Sequence, residues 1–381
     1  MSAGIATRFP LVSRAKPVCR PMAARIAELG DAAVRAEQAQ APIQQRLVAA
    51  SEVYNKSALI ASDCHLPELA RDMCWQQWDA FATAVGGHGQ SAELLKLSLQ
   101  PLLNLARQLI RDRQGQEAYE ILMQLFVSAN NKLPTKLNGR YIPLDMANAT
   151  DQERLAIRRH LWAALLADGS RALISEHRWS EALELAQKFH GVGHRLLDGR
   201  QVLIITTLLD SGPEHALELL DATQTTTPWE SAVATTLRAF ALDQVGMSDS
   251  AVADLLVEKC LRTIATADPS TGSFAARLAA TAADLLADTH PPQSAAVASA
   301  LSRFACASVD AYVAREALTS SAVLRTLTPN VRESLTTLTK ASCLGTGAIP
   351  KRENEELHHH VQRAAIVINH LTSALVEVAA A

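Results

Sequence analysis

Three short segments of this chain share one frame. Glu181-Ala182-Leu183-Glu184-Leu185, His215-Ala216-Leu217-Glu218-Leu219 and Ser250-Ala251-Val252-Ala253-Asp254 each place a small alanine near the start of a helical stretch, at offsets of 34 and 35 residues. Around them the sequence reads helix, tight turn, helix. A single pair of this kind cannot bury its apolar face alone. A period of this length therefore calls for stacked helical hairpins, with each alanine leaving room for its neighbour. Composition agrees with that demand. Of 381 residues, 48% are hydrophobic but only 4% aromatic, so the apolar content is mostly alanine, leucine and valine. Small and unbranched side chains lose little freedom in helices and let them approach closely. The expected fold class is all-α.

Upstream the same pattern is looser. Pro42 opens a helix over Ile43 to Ser62, and Pro67 starts its partner, which runs to about Val85. Gly86-Gly87-His88-Gly89 is a break, after which Ser91 begins a helix to Arg113 and Gln116 to Asn130 forms its partner across a turn at Gln114-Gly115. Ala58 and Ala70 in the first pair match Ala106 and Ala118 in the second, and the spacing of Asn55 and Asp63 is echoed by Asn104 and Asp112. Lys132 to Ala149 leaves the helical pattern; Asn138-Gly139 between Lys136-Leu137 and Arg140-Tyr141-Ile142 is a hairpin signal. Thr150-Asp151, with Glu153 in the first turn, caps a long helix running through Trp162 and Gly169 to Glu176. Beyond Asp268-Pro269 the period is lost, although helices still read at 272–288, 292–312, 314–327, 329–344 and 352–378.

From about Pro42 to Ala265 the chain resembles tetratricopeptide-like helical repeats, particularly divergent ones of bacterial regulatory and accessory proteins. Gly169, Ala182, Ala216, Ala251 and Pro228, 12 residues after Ala216, carry the likeness. The resemblance implies an α-solenoid of antiparallel helix pairs with a helical C-terminal cap. Three segments follow: 1–41, a basic, partly disordered arm and first helix; 42–268, the repeats with an inserted loop at 132–149; and 269–381, further repeats or the cap. It also implies that stacked first helices line a concave face that holds an extended peptide or a partner helix.

Charge and cysteine usage narrow the function classes. The formal charge is −3, which disfavours nucleic acid as a partner. The first 27 residues carry Arg8, Arg14, Lys16, Arg20 and Arg25 and no acid, while Pro10, Pro17 and Pro21 interrupt any long helix there. That reads as a disordered basic arm rather than a transit peptide, and it leaves a nucleic-acid contact through residues 8–25 as a minor reading. Six cysteines without a CxxC pair suit reduced thiols of a cytoplasmic protein, and no run is apolar enough for a membrane span. Arginine outnumbers lysine 27 to 9, as in chains from GC-rich bacterial genomes.

No catalytic constellation stands out. His190 and His194 lack a third ligand with motif spacing, and His358-His359-His360 point about 100° apart on a helix, so neither is read as a metal site. Cys64 and Cys74 read as packing, and Asp198-Gly199-Arg200 lacks the strand and lysine of a phosphate cradle. No cofactor is implied, and an enzyme is disfavoured. The binding candidates are Asn55, Asn104, Arg107, Arg111, Arg158 and Arg159, which recur on first helices; their amides and guanidinium forks suit main-chain groups and carboxylates. The expected function is a non-catalytic scaffold for a protein or peptide partner, compatible with a homo-dimer. The alternative is an enzyme or small-molecule binder whose pocket is closed by the 132–149 insertion.

Overall fold

A computed structural model describes residues 2–85, 92–146, 149–247 and 249–380. Gly86-Gly87-His88-Gly89, Ser91 and residues 147 and 148 of the insertion lie outside the described residues. Among the described residues the chain is all-α apart from one small hairpin. Its elements begin with α1 (Ser2–Ala6), α2 (Met22–Glu37), α3 (Ile43–Asp63), α4 (Pro67–Val85), α5 (Ala92–Arg111) and α6 (Gly115–Asn131). The hairpin strands β1 (Thr135–Leu137) and β2 (Arg140–Ile142) follow. Next come α7 (Asp151–Ala164), a π-helical turn (Leu165–Gly169), α8 (Ser170–Ser175), α9 (Trp179–Lys188), α10 (Asp198–Asp210) and α11 (Pro213–Asp221). The remainder is α12 (Pro228–Gln244), α13 (Ser250–Ala265), α14 (Gly272–Leu286), α15 (Pro291–Ala307), α16 (Ala311–Thr319), α17 (Ser321–Thr326), α18 (Pro329–Ala341) and α19 (Lys351–Ala380).

Contacts gather these elements into two compact units. The seam unit holds Met22–Glu176 and the segment from Gly345 onward; the strap unit holds the residues up to Pro21 and His177–Leu344. The boundaries read from sequence, at 41/42 and 268/269, thus fall inside units. The reason is that both ends of the chain pack against residues far away in sequence.

In the seam unit, α2 to α6 each pack on the next helix in sequence, and α6 also contacts α7 and α8. Ala58, Ala70, Ala106 and Ala118 are all at least 97% buried, as the repeat pattern requires. The 30-residue α19 lies against α2, α3 and α4. Leu357, Val361, Ala364, Ile368 and Leu371 form its buried stripe, alternating steps of four and three residues down one face. In the hairpin, Asn138 and Gly139 have φ of 46° and 76°, the two left-handed residues of a type I′ turn. Arg140 grips Asp79 of α4 with two bonds of 2.7 and 2.9 Å and stacks on Trp75, while Gln124 of α6 donates to Thr135 and to the Lys136 carbonyl. The insertion is therefore anchored on the second helices of two pairs.

In the strap unit, successive helices from α9 to α15 again pack pairwise, and α14 also meets α16. Ala182 and Ala216 are fully buried. The third copy departs from its frame: Ala251 is exposed and Ala253 takes the buried place. The Asp249 carboxylate, which accepts from the amides of Ala251 and Val252, makes Ala251 part of the capped first turn of α13. The single helix expected at 292–312 is cut at Asp310, whose carboxylate caps α16 through the Tyr312 amide.

The basic arm packs on the helices of the strap unit. Ile5, Ala6, Phe9, Leu11 and Cys19 are each at least 94% buried in the strap unit. Its cations find acids supplied far downstream: Arg8 pairs with Asp284 and Arg14 with Asp198, both at 2.6 Å, and Lys16 lies over the Tyr312 ring. Burial raises the Asp284 carboxyl. The Ala322 amide, Arg8 and the Ser320 hydroxyl outweigh that effect and leave it below its ordinary value. Gln201, fully buried, accepts from the Leu11 amide and donates to the Leu11 carbonyl, each at 2.8 Å. Gln201→Leu strands both main-chain groups and is expected to lower the unfolding free energy by about 2 kcal/mol. Urea titration checks this; an unchanged midpoint would mean that water replaces the amide.

Candidate binding site

The seam unit draws its name from a ladder of polar side chains between α3, α5 and the π turn. On α5, Asn104, Arg107 and Arg111 recur at three and four residues, which puts them on one face. On α3, Asn55 and the pair Ser62-Asp63 stand at matching heights. Asn104 donates to the Asn55 side-chain oxygen at 2.7 Å and accepts from Arg107 at 3.0 Å. Arg107 also donates through Nε to Asp168 at 2.8 Å. One turn further along, Arg111 reaches Ser62 at 3.1 Å and Asp63 at 3.5 Å.

Two acids hold this ladder in place. Asp63 is buried and bonded to the equally buried Arg25 of α2 at 2.6 Å, so the end of α3 is fixed from behind. Asp168 is 7% exposed and lies in the π turn. A π turn adds a residue to the helical repeat and rotates the side chains around it, a feature often found at functional positions. Here it occurs where the long helix expected from Thr150 to Glu176 aims a carboxylate at Arg107. The echo between Asp63 and Asp112 persists in position, but the partners differ: Asp112 is bound by Arg71 of α4.

The ladder leaves donors to spare. The Arg107 and Arg111 side chains remain 46% and 38% exposed while touching their acids, and a guanidinium carries five N–H donors in a fixed fork. His160 of α7 lies nearby. Burial first, then the positive charges of Lys96 and Arg107, hold its imidazole below the ordinary value, so it is neutral at neutral pH. The face is therefore built to meet acceptors: main-chain carbonyls, side-chain amides or carboxylates.

Four of the six residues singled out from sequence are thus brought together. Arg158 and Arg159 of α7 are not part of the ladder; Arg159 is exposed, and Arg158 is half-buried with its Nε buried and without a partner among the described residues. Asp168, Ser62, Lys96 and His160 were not among the sequence candidates. Asp168 adjoins Gly169, which the repeat pattern had marked, but nothing local distinguishes it from a solvated acid.

The other chemistry-bearing residues do not assemble. Burial pushes the Cys74 thiol up to about 12, and that of Cys260 likewise, so neither is a thiolate near neutral pH. His190, rather than either neighbouring glycine, takes the left-handed backbone that ends α9, with φ of 56°. Among the described residues no three His, Cys, Asp or Glu side chains are grouped as a metal ion needs, and no helix is long and apolar enough to cross a membrane. Comparison with family models, with curated proteins and with solved structures finds no match for this chain.

Proposed function

We propose that this chain is a non-catalytic helical-repeat scaffold of tetratricopeptide-like kind. In this reading it acts in the bacterial cytoplasm as a regulatory or accessory protein and recognises a protein or peptide partner through the polar ladder of its seam unit. The observation that carries the proposal is Arg107. It is oriented by a buried carboxylate and an asparagine pair, yet its fork still faces solvent. A charge fixed in this way loses little freedom on binding, which favours recognition over a merely solvated role. The anchoring of the 132–149 insertion on α4 and α6 supports the ladder, on the first helices, as the accessible surface.

The test uses the full-length protein as bait in its native lysate. Arg107→Ala with Arg111→Ala is expected to weaken retention of the captured partner by about tenfold or more while circular dichroism is unchanged. Equal capture by both baits, or capture of nothing across a range of salt, overturns the proposal. Deleting the hairpin is expected to leave capture intact; loss of binding there would favour a ligand pocket under the insertion instead.

A further inference from the structure

The N-terminal strap, residues 8–21, is held by apolar packing and also, as a protein holds a peptide ligand, by bonds to its main chain. Residues 9–21 form no helix or strand, so their main-chain groups need partners from elsewhere. The strap unit supplies them one at a time. The amide fork of Gln201 reads both the N–H and the C=O of Leu11. The Lys16 amide donates to the Ser270 carbonyl at 2.9 Å, and the Cys19 amide donates to Asp310 at 3.0 Å. The Cys19 carbonyl accepts from the Ala311 amide at 2.9 Å. Bonds of this kind recognise an extended main chain whatever its side chains are.

Side-chain selection is added on top. Phe9, Pro10 and Leu11 are buried together in sequence, and Arg8 and Arg14 flank them on Asp284 and Asp198. Asp198, Asp284 and Asp310, each at least 91% buried, make the seat acidic where the strap is basic. Pro17 fixes its own φ and keeps Lys16 out of helical backbone before docking, which reduces the entropy lost on binding. The strap's pairing with α10, α14 and α16 thus has main-chain readout, apolar anchors and charge complementarity, the three components of peptide recognition.

We infer that the strap unit carries a second recognition seat, separate from the ladder, for extended basic peptides of the type Arg8-Phe9-Pro10-Leu11 followed by Arg14 and Lys16. Residues 8–19 are its resident ligand, and a partner segment of the same chemistry exchanges with them. Covalent attachment gives the resident segment a high local concentration, so a peptide in trans meets an occupied seat in the wild-type chain.

The probe is a fluorescein-labelled synthetic peptide of residues 6–21, titrated into full-length protein and followed by anisotropy. Arg8→Glu with Arg14→Glu weakens the resident segment but leaves the seat intact. This variant is expected to bind the probe at least about tenfold more tightly than wild type. Adding Gln201→Leu is expected to remove that gain. A double variant that keeps its circular dichroism and binds no more probe than wild type overturns the inference. Should that variant misfold, hydrogen–deuterium exchange on the wild-type chain decides the matter. Excess unlabelled peptide is expected to speed exchange at the Leu11 and Cys19 amides, while a peptide with Glu at positions 8 and 14 leaves them unchanged. Protection that stays constant at saturating peptide overturns the inference equally.

Discussion

Arg25→Ala is expected to lower the unfolding free energy by about 3–5 kcal/mol, the range for breaking a buried ion pair from one side. The lost Coulomb attraction is the smaller part of that effect. Asp63 is buried, and the other cation bonded to it, Arg111, stands at 3.5 Å with its side chain 38% exposed. A carboxylate left in that position is poorly hydrated and poorly paired, which is the costly state. Replacing both partners, Arg25→Met with Asp63→Leu, is expected to restore most of the stability because nothing charged then remains buried. Arg35→Ala is the control: its pair with Glu52 is exposed, and its loss is expected to cost under about 1 kcal/mol. Urea unfolding of the four chains measures the set. If Arg25→Ala costs no more than the control, Arg111 or water compensates Asp63, and the ladder is not fixed from behind in the way described.

The second large effect is expected at Gly115. A Cβ built there stands 2.3 Å from the Ala172 carbonyl oxygen, 2.6 Å from Ser175 Oγ and 2.8 Å from Glu176 Cγ. The first contact is with backbone, which cannot swing aside. The Gly115 amide also donates to Glu176 at 2.8 Å, so the same displacement breaks a hydrogen bond. Gly115→Ala is expected to cost about 3 kcal/mol by forcing α8 away from α6. Gly193→Ala, with nothing within 4 Å of its Cβ, is expected to stay within about 0.5 kcal/mol of wild type. Comparable midpoints for the two variants would show that α8 yields freely.

Gly115 also illustrates how far sequence reading reaches. Glycine after glutamine at the end of a helix reads as a turn, whereas the turn falls at Asp112 and Arg113 and Gly115 opens α6. The need for glycine, however, comes from Ala172, more than fifty residues later. The hairpin at 135–142 was legible because Asn-Gly turn chemistry is local: both residues tolerate left-handed backbone whatever surrounds them. The buried alanines at 58, 70, 106, 118, 182 and 216 were legible for a similar reason, since the helical repeat ties position in sequence to face in space. Ala251 was misplaced because a capping aspartate two residues earlier set where α13 begins, and boundaries depend on such single hydrogen bonds.

The candidate site was half legible. Spacing put Asn104, Arg107 and Arg111 on one helix face, and matching spacing on α3 suggested Asn55. The π turn that aims Asp168 at Arg107 has no signature in the sequence around Leu165–Gly169, because it is a response to packing rather than to local preference. The packing of the strap was illegible for the opposite reason. Five cations, three prolines and no acid in 27 residues look unable to fold, and by themselves they supply little that could. Asp198, Asp284 and Asp310, roughly 180 to 290 residues away in the chain, supply the partners.

The sequence by itself therefore determined most of the helices, their pairing with the next in line, the small residues where they cross and the hairpin at 135–142. All of these follow from backbone periodicity and neighbours a few residues apart. Tertiary structure alone decided that the first residues dock on the helices after His177, that α19 returns to α2, α3 and α4, and that buried acids orient exposed arginines. Those outcomes depend on charge and main-chain groups meeting across hundreds of residues, where desolvation makes an unpaired group costly and no local pattern records which partner will satisfy it.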